Sequence, residues 1–122
     1  MEALLECNKK ISVRHEKAID YALNQIKSSA LCPYVKNVIL FGSCARNEQK
    51  WKSDLDLCMI LSPSVREKQN FKKALYMLKG SISDTDVSSV EVDLKVLVGD
   101  EWEKNDALFY KNIRKDGISI WR

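Results

Sequence analysis

Apolar residues recur at helical spacing in two long segments of the chain. The first segment, residues 11–29, carries them at positions i, i+3, i+4 and i+7, namely Ile19, Ala22, Leu23 and Ile26. The second segment, residues 64–79, repeats this spacing with Phe71, Ala74, Leu75 and Leu78. Both patterns predict amphipathic helices. The first helix should not continue through Cys32-Pro33, because the residue before a proline is disfavoured in helical geometry.

Four further segments have the pattern of strands. Residues 38–41 are a continuous apolar run that ends at Gly42, which is typical of a strand buried on both faces. Residues 55–61 form a second apolar run. Residues 90–98 alternate between apolar and polar positions, which predicts a strand with one apolar face. Residues 118–121 predict a short terminal strand.

The remaining segments connect these elements. The sequence predicts a turn or short helix from Ser43 to about Lys50, a surface loop at residues 81–89, and a final helix at residues 101–115. Strands that alternate with helices predict an α/β (α+β) fold with a small mixed sheet packed by helices. We expect one domain over residues 1–122.

Composition narrows the possible functions. The 122 residues are 45% hydrophobic and 30% charged, which excludes a disordered chain. Lys plus Arg total 20 and Asp plus Glu total 17, and the net charge of +3 neither indicates nor excludes nucleic-acid binding. No apolar run approaches the roughly 18 residues of a membrane helix, and charged residues interrupt the N-terminal segment, so we expect neither a membrane anchor nor a signal peptide. The four cysteines lack a metal-binding spacing, which favours free thiols in the cytoplasm.

The residues that carry chemistry lie around the end of the first predicted strand. Gly42 and Ser43 follow that strand directly, and a glycine there lets a ligand approach the backbone closely. If a helix begins at this point, its N-terminus favours an anion such as a phosphate. Asp54 and Asp56 stand two residues apart at the start of the next strand, so both carboxylates project from the same face.

Two neighbouring carboxylates repel each other unless a cation lies between them. Mg²⁺ is the cation that joins carboxylates to substrate phosphates, and Asp93 offers a third carboxylate from another strand. Three carboxylates can hold two metal ions about 4 Å apart, which is the arrangement used for phosphoryl displacement. Glu91 shares a strand face with Asp93 and is the alternative third ligand.

The combination of Gly42-Ser43, ten intervening residues, and Asp54-Leu55-Asp56 resembles the nucleotidyltransferase superfamily typified by DNA polymerase beta, and within it the minimal nucleotidyltransferase group. Ala45-Arg46 and the later Asp93 also match that pattern, and the resemblance covers about residues 35–121. The chain departs from the family at Asn47, where glycine is frequent.

The resemblance implies a role for each matching residue. Gly42 and Ser43 would hold the phosphates of ATP or another nucleoside triphosphate, with Arg46 beside them. Asp54, Asp56 and Asp93 would be the catalytic residues and would hold two Mg²⁺ ions. Lys50 and Lys52 are weaker candidates for the triphosphate, because exposed lysines are usually solvated.

The resemblance further implies transfer of a nucleoside monophosphate, AMP in the simplest case, to an acceptor hydroxyl. Minimal nucleotidyltransferases resemble antitoxins whose partner, encoded by the adjacent gene, is a HEPN-domain ribonuclease that receives AMP on a tyrosine. Nucleic acid is not the expected acceptor. Two alternatives stay open: a nucleotide-binding antitoxin module that acts by contact alone, and a transferase for small molecules such as aminoglycosides.

Several residues with chemical potential have simpler interpretations. Asp84-Thr85-Asp86 repeats the Asp-x-Asp pattern, but it lies in a serine-rich loop without a Gly-Ser partner, so we expect it to be solvated. His15 lies along an apolar helical stripe and is expected to pack rather than act as a base. Trp51 and Tyr110 could stack on a nucleobase, although core or rim positions are more usual for such aromatic residues.

Overall fold

The computed structural model describes residues 12–46, 54–84 and 90–121, and its first element is a capped amphipathic helix. This helix, α1, spans Val13–Ser28, close to the predicted range. Ser12 caps its N-terminus, because the serine side chain accepts a hydrogen bond of 3.0 Å from the backbone N–H of His15. The His15 side chain is buried along the apolar stripe, which confirms the packing role predicted for it.

The strands form one four-stranded mixed sheet within the described residues. They are β1 (Val35–Phe41), β2 (Leu55–Leu61), β3 (Val92–Val98) and β4 (Ile118–Ser119), in the spatial order β3-β2-β1-β4. β1 pairs antiparallel with both β2 and β4, whereas β2 and β3 run parallel. A parallel pair needs a long crossover, which here contains the second helix.

The two faces of the sheet are covered differently. Alternate residues of β2, Leu55, Leu57, Met59 and Leu61, belong to the main core together with α1 and α2 (Phe71–Ser81). The opposite face carries a smaller apolar cluster, Ile39, Cys58, Ile60 and Ile113, the last of which belongs to α3 (Leu108–Asp116). Asp56 shares the parity of Cys58 and Ile60, so its carboxylate lies on this second face.

The helix predicted over residues 64–79 is wrong in its first half. Pro63–Glu67 forms a short 3₁₀ helix instead, started by Ser62, whose side chain accepts a hydrogen bond from the backbone N–H of Ser64. Asn70 then adopts a left-handed backbone with φ of 64°, and α2 begins only at Phe71. Asparagine tolerates this conformation better than most residues, so it separates the two helical pieces.

The helix predicted over residues 101–115 is also shorter than expected. Glu101–Glu103 is a 3₁₀ turn, and Ala107 is extended immediately before α3. The Asn105 side chain accepts a hydrogen bond of 2.8 Å from the backbone N–H of Ala107, which gives this connection an alternative to helical pairing. α3 ends before Gly117, as predicted. Among the described residues, no helix combines the length and apolarity needed to cross a bilayer.

Candidate active site

Three acidic residues lie near one another at one end of the sheet. Asp56 and Asp93 are direct register partners on the parallel strands β2 and β3, and Asp54 precedes Asp56 by two residues. Because register partners on adjacent strands project from the same face, the fold brings together carboxylates that are 37 residues apart in sequence (93 − 56). Asp93, rather than Glu91, is the residue opposite Asp56.

The electrostatics of Asp56 show this proximity. Partial burial raises the pKa of the Asp56 carboxyl above its ordinary value, and the negative charges of Asp93 and Asp54 raise it further. The positive charges of Lys95 and Arg46 act in the opposite direction. Asp56 is therefore the most crowded member of the acidic cluster, with like charges on both sides and two cations near it.

Gly42 lies directly against the Asp56 carboxylate. Its φ of 75° is a left-handed conformation that favours glycine, and a Cβ built at this position would overlap Oδ2 of Asp56 and lie 3.1 Å from Cγ. The turn is closed by the backbone N–H of Arg46, which donates to the Gly42 carbonyl oxygen at 3.2 Å. The missing side chain lets the Asp56 carboxylate pack directly against the turn.

Ser43 and Cys44 connect this turn to the core. Cys44 is fully buried, and its Sγ lies 4.0 Å from the Asp54 carbonyl oxygen. Burial and the nearby charge of Asp56 raise the pKa of the Cys44 thiol to about 11, although a hydrogen bond with the Ser43 side chain opposes this rise. The thiol is consequently neutral and packs the turn against the start of β2, a role that the sequence did not indicate.

The donor set of this cluster suits a hard divalent cation, since carboxylate oxygens are the ligands that Mg²⁺ prefers. Within the residues that the structure describes, however, no three His, Cys, Asp or Glu side chains converge closely enough to form a metal shell as they stand. Asp93 lies instead beside Lys95, with 3.4 Å between Oδ2 and Nζ. The strand register nevertheless places Asp56 and Asp93 side by side, as a shared ion would require.

Two features flank the acidic cluster on opposite sides. On the β1 side, Phe41 is the register partner of Asp56, and its ring meets Phe109 edge to face with 5.7 Å between centroids. Tyr110 in turn meets Phe109 at 5.6 Å. On the β3 side, a cavity of about 250 Å³ is lined in part by Asp93, Lys95 and Lys79. Sequence analysis overlooked Phe109, although it adjoins Tyr110.

The remaining predicted site residues divide into two groups. The structure places Gly42, Ser43 and Arg46 in the turn beside the cluster, and Arg46 is close enough for its charge to affect Asp56. Lys50, Trp51 and Lys52 lie outside the described residues. Of the second Asp-x-Asp sequence, Asp84 lies in a loop and its side chain is exposed, as expected, while Thr85 and Asp86 lie outside the described residues.

A small mixed sheet with a glycine-serine turn facing strand-borne carboxylates is the architecture of nucleotidyltransferases, and comparison with known proteins identifies the same class. The family model described as polymerase beta, nucleotidyltransferase, matches residues 23–122. The chain belongs to this family, which confirms the predicted resemblance and the predicted fold class and supports a nucleotidyltransferase activity in general terms.

Two solved structures share this fold. One is a candidate nucleotidyltransferase from Sulfolobus solfataricus, with 23% sequence identity and a TM-score of 0.57, covering 87% of this chain and 81% of that one. The other is a toxin–antitoxin with AMP-PNP, with 17% identity and a TM-score of 0.56, covering 84% of this chain and 71% of that one. No curated protein sequence matches the chain.

Proposed function

We propose that this protein is a Mg²⁺-dependent nucleotidyltransferase of the minimal type that moves AMP from ATP to a hydroxyl group on a partner protein. The observation that supports it most directly is the register of Asp56 against Asp93, beside a glycine whose missing side chain lets the Asp56 carboxylate lie directly against the Gly42-Ser43 turn. Paired carboxylates and an open backbone turn are what a nucleoside triphosphate with its metal ions needs.

Each residue of the site has a defined task in this proposal. Asp54, Asp56 and Asp93 would hold two Mg²⁺ ions, which supply charge neutralisation at the triphosphate and the attacking oxygen. Gly42 and Ser43 position the phosphates. The oxygen of the acceptor hydroxyl bonds to the α-phosphorus while the bond from that phosphorus to pyrophosphate breaks. Asp93 accepts the proton that the hydroxyl loses. Catalysis consists of positioning and charge compensation, without a covalent protein intermediate.

The partner is the second part of the proposal. One structural neighbour was solved as a toxin–antitoxin with AMP-PNP, which supports an antitoxin role and a toxin partner for this chain. The choice of a HEPN-type toxin as the acceptor rests on the resemblance to minimal nucleotidyltransferases alone. The thiols of Cys32, Cys44 and Cys58, which form no disulfide, support the cytoplasm as the compartment, because thiols stay reduced there. Detection of the protein in a membrane or periplasmic fraction would contradict that assignment.

The test uses purified full-length protein, Mg²⁺, ATP labelled at the α-phosphate, and the protein encoded by the adjacent gene. We expect label on a tyrosine of the neighbour with the wild-type protein and at least a 100-fold loss with Asp56→Asn, because removal of a metal ligand disrupts charge compensation. Asp84→Asn is the matched control, since it removes an exposed loop carboxylate.

Three outcomes separate the alternatives. Label on the neighbour that depends on Asp56 supports the transferase. Equal inhibition of the neighbour by wild type and Asp56→Asn, without any label, would show a module that acts by contact alone. Label on an aminoglycoside hydroxyl in the absence of any partner would assign a small-molecule transferase.

A further inference from the structure

Lys95 and Asp93 form an ion pair at the β3 side of the acidic cluster. Lys95 follows Asp93 by two residues and therefore projects from the same sheet face, and its Nζ lies 3.4 Å from Asp93 Oδ2. Both side chains are about half exposed, at 51% and 49%. The charge of Lys95 also acts on Asp56, where it lowers the carboxyl pKa more than Arg46 does. The Lys95 ammonium group thus forms an ion pair with Asp93 and also offsets the negative charge of Asp56.

The position of Lys95 separates it from the phosphate side of the site. Lys95 is the register partner of Cys58, in the next row of the sheet beyond Asp56 and Asp93. Gly42 belongs to the turn after β1, on the other side of β2. Lys95 consequently reaches Asp93 from the β3 edge of the sheet, and β2 separates it from Gly42.

Three carboxylates gathered by the fold need positive charge to remain ionised together. We propose that Lys95 is the resident counter-ion of this cluster: it holds Asp93 in the metal-free protein and competes with divalent cations for the same carboxylate. This inference depends on the proposed function, because it requires Asp93 to be a metal ligand.

Two consequences follow from such competition. Binding of a divalent ion must first separate Lys95 from Asp93, so the lysine weakens metal affinity. The same lysine stabilises the metal-free fold by offsetting repulsion within the cluster. A bridge that served only to stabilise the surface would affect stability equally with and without metal.

The chain offers a matched control for this pair. Lys36 Nζ lies 2.9 Å from Asp100 Oδ1, and these side chains are 46% and 66% exposed. This bridge is at the opposite end of the sheet, because Lys36 is at the start of β1 and Phe41, at its end, is the register partner of Asp56. Lys36→Met therefore removes a similar ion pair far from the acidic cluster.

The experiment measures Mn²⁺ binding to the full-length protein by electron paramagnetic resonance. We expect Lys95→Met to bind Mn²⁺ about two- to fivefold more tightly than wild type, the range set by an exposed ion pair of up to about 1 kcal/mol at 1.4 kcal/mol per tenfold. Lys95→Arg, which keeps the charge, and Lys36→Met should both stay close to wild type. In EDTA, Lys95→Met should melt at a lower temperature than wild type, and saturating Mg²⁺ should remove that difference.

Mn²⁺ affinity in Lys95→Met that equals or falls below the wild-type value would overturn the competition, as would equal tightening in Lys95→Arg. Asp56→Asn distinguishes this failure from failure of the proposed function. If Asp56→Asn loses Mn²⁺ while Lys95→Met is unchanged, the metal site stands and the role of Lys95 is refuted. If Asp56→Asn binds Mn²⁺ as wild type does, both proposals fail.

Discussion

Substitution of Gly42 by alanine tests the close contact between the Gly42 backbone and the Asp56 carboxylate. The left-handed backbone at Gly42, with φ of 75°, costs an alanine about 1–2 kcal/mol. The new Cβ would also overlap Asp56 Oδ2, and the carboxyl can escape only by leaving its rotamer, since β2 is held on both sides by β1 and β3. That displacement adds about 0.5–1.5 kcal/mol. We expect a fall in melting temperature of roughly 10 °C.

The effect on activity should be larger than the effect on stability. A reacting group moved by about 1 Å can lose a factor of about 100 in rate, so Gly42→Ala should reduce AMP transfer by at least that factor. Differential scanning calorimetry and the labelled-ATP assay measure the two effects on the same preparations.

Two other glycines provide the controls. Gly99 has a similar φ of 84°, but a Cβ there would meet only Pro63 Cγ at 3.7 Å, so Gly99→Ala isolates the backbone strain. Gly80 lies within α2 with nothing near its would-be Cβ, and Gly80→Ala should stabilise the protein by about 0.5–1 kcal/mol. Equal losses of stability and of activity in Gly42→Ala and Gly99→Ala would refute the contact with Asp56 as the reason for glycine at position 42.

Three further predictions concern the same region and its support. Because the pKa of Asp56 is raised in the folded protein, its contribution to stability is present at low pH and is lost as pH rises through the folded pKa. In EDTA, Asp56→Asn should therefore melt above wild type at pH 7, with a smaller difference at pH 4; a difference that grows on acidification would contradict the raised pKa. Iodoacetamide at pH 8 should label the partly exposed Cys32 well before the buried Cys44 and Cys58, whose thiol pKa values are raised to about 11 and 12, and peptide mass spectrometry would show the order. Ser12→Ala should cost about 1 kcal/mol through loss of the α1 cap, measured by urea unfolding; an unchanged midpoint would argue against the cap.

The first helix and β2 were predictable because their apolar patterns are long and unambiguous, whereas β1 begins three residues before the predicted range 38–41 and β4 has only two of the four predicted residues. β2 spans the predicted residues 55–61, and α1 differs from its prediction by two residues at the start and one at the end. The helices predicted at 64–79 and 101–115 were too long. Apolar spacing does not reveal where a side chain forms a hydrogen bond with the backbone and so replaces a helical one. Asn105 illustrates this, because its side chain bonds the N–H of Ala107 and helical pairing starts only afterwards.

The acidic cluster was only partly accessible from the sequence. Asp54 and Asp56 share a face by their spacing alone, whereas the place of Asp93 depends on β2 and β3 lying in register, which no local pattern encodes. The alternating pattern of β3 did put Lys95 on the same face as Asp93. Its pairing with that carboxylate could not be foreseen, because a lysine side chain has several rotatable bonds and many possible partners.

Among the residues that the structure describes, β3 lies at one border of the sheet, and this position gives its charged residues a second consequence. An unpaired border strand offers backbone donors and acceptors to any other extended chain, and natural proteins discourage such additions with short or charged strands. β4, at the opposite border, is only two residues long, whereas β3 has seven residues and carries Asp93 and Lys95 in its interior. We therefore expect the same charged pair to discourage self-association along β3, and a double substitution of Asp93 and Lys95 by apolar residues to promote aggregation.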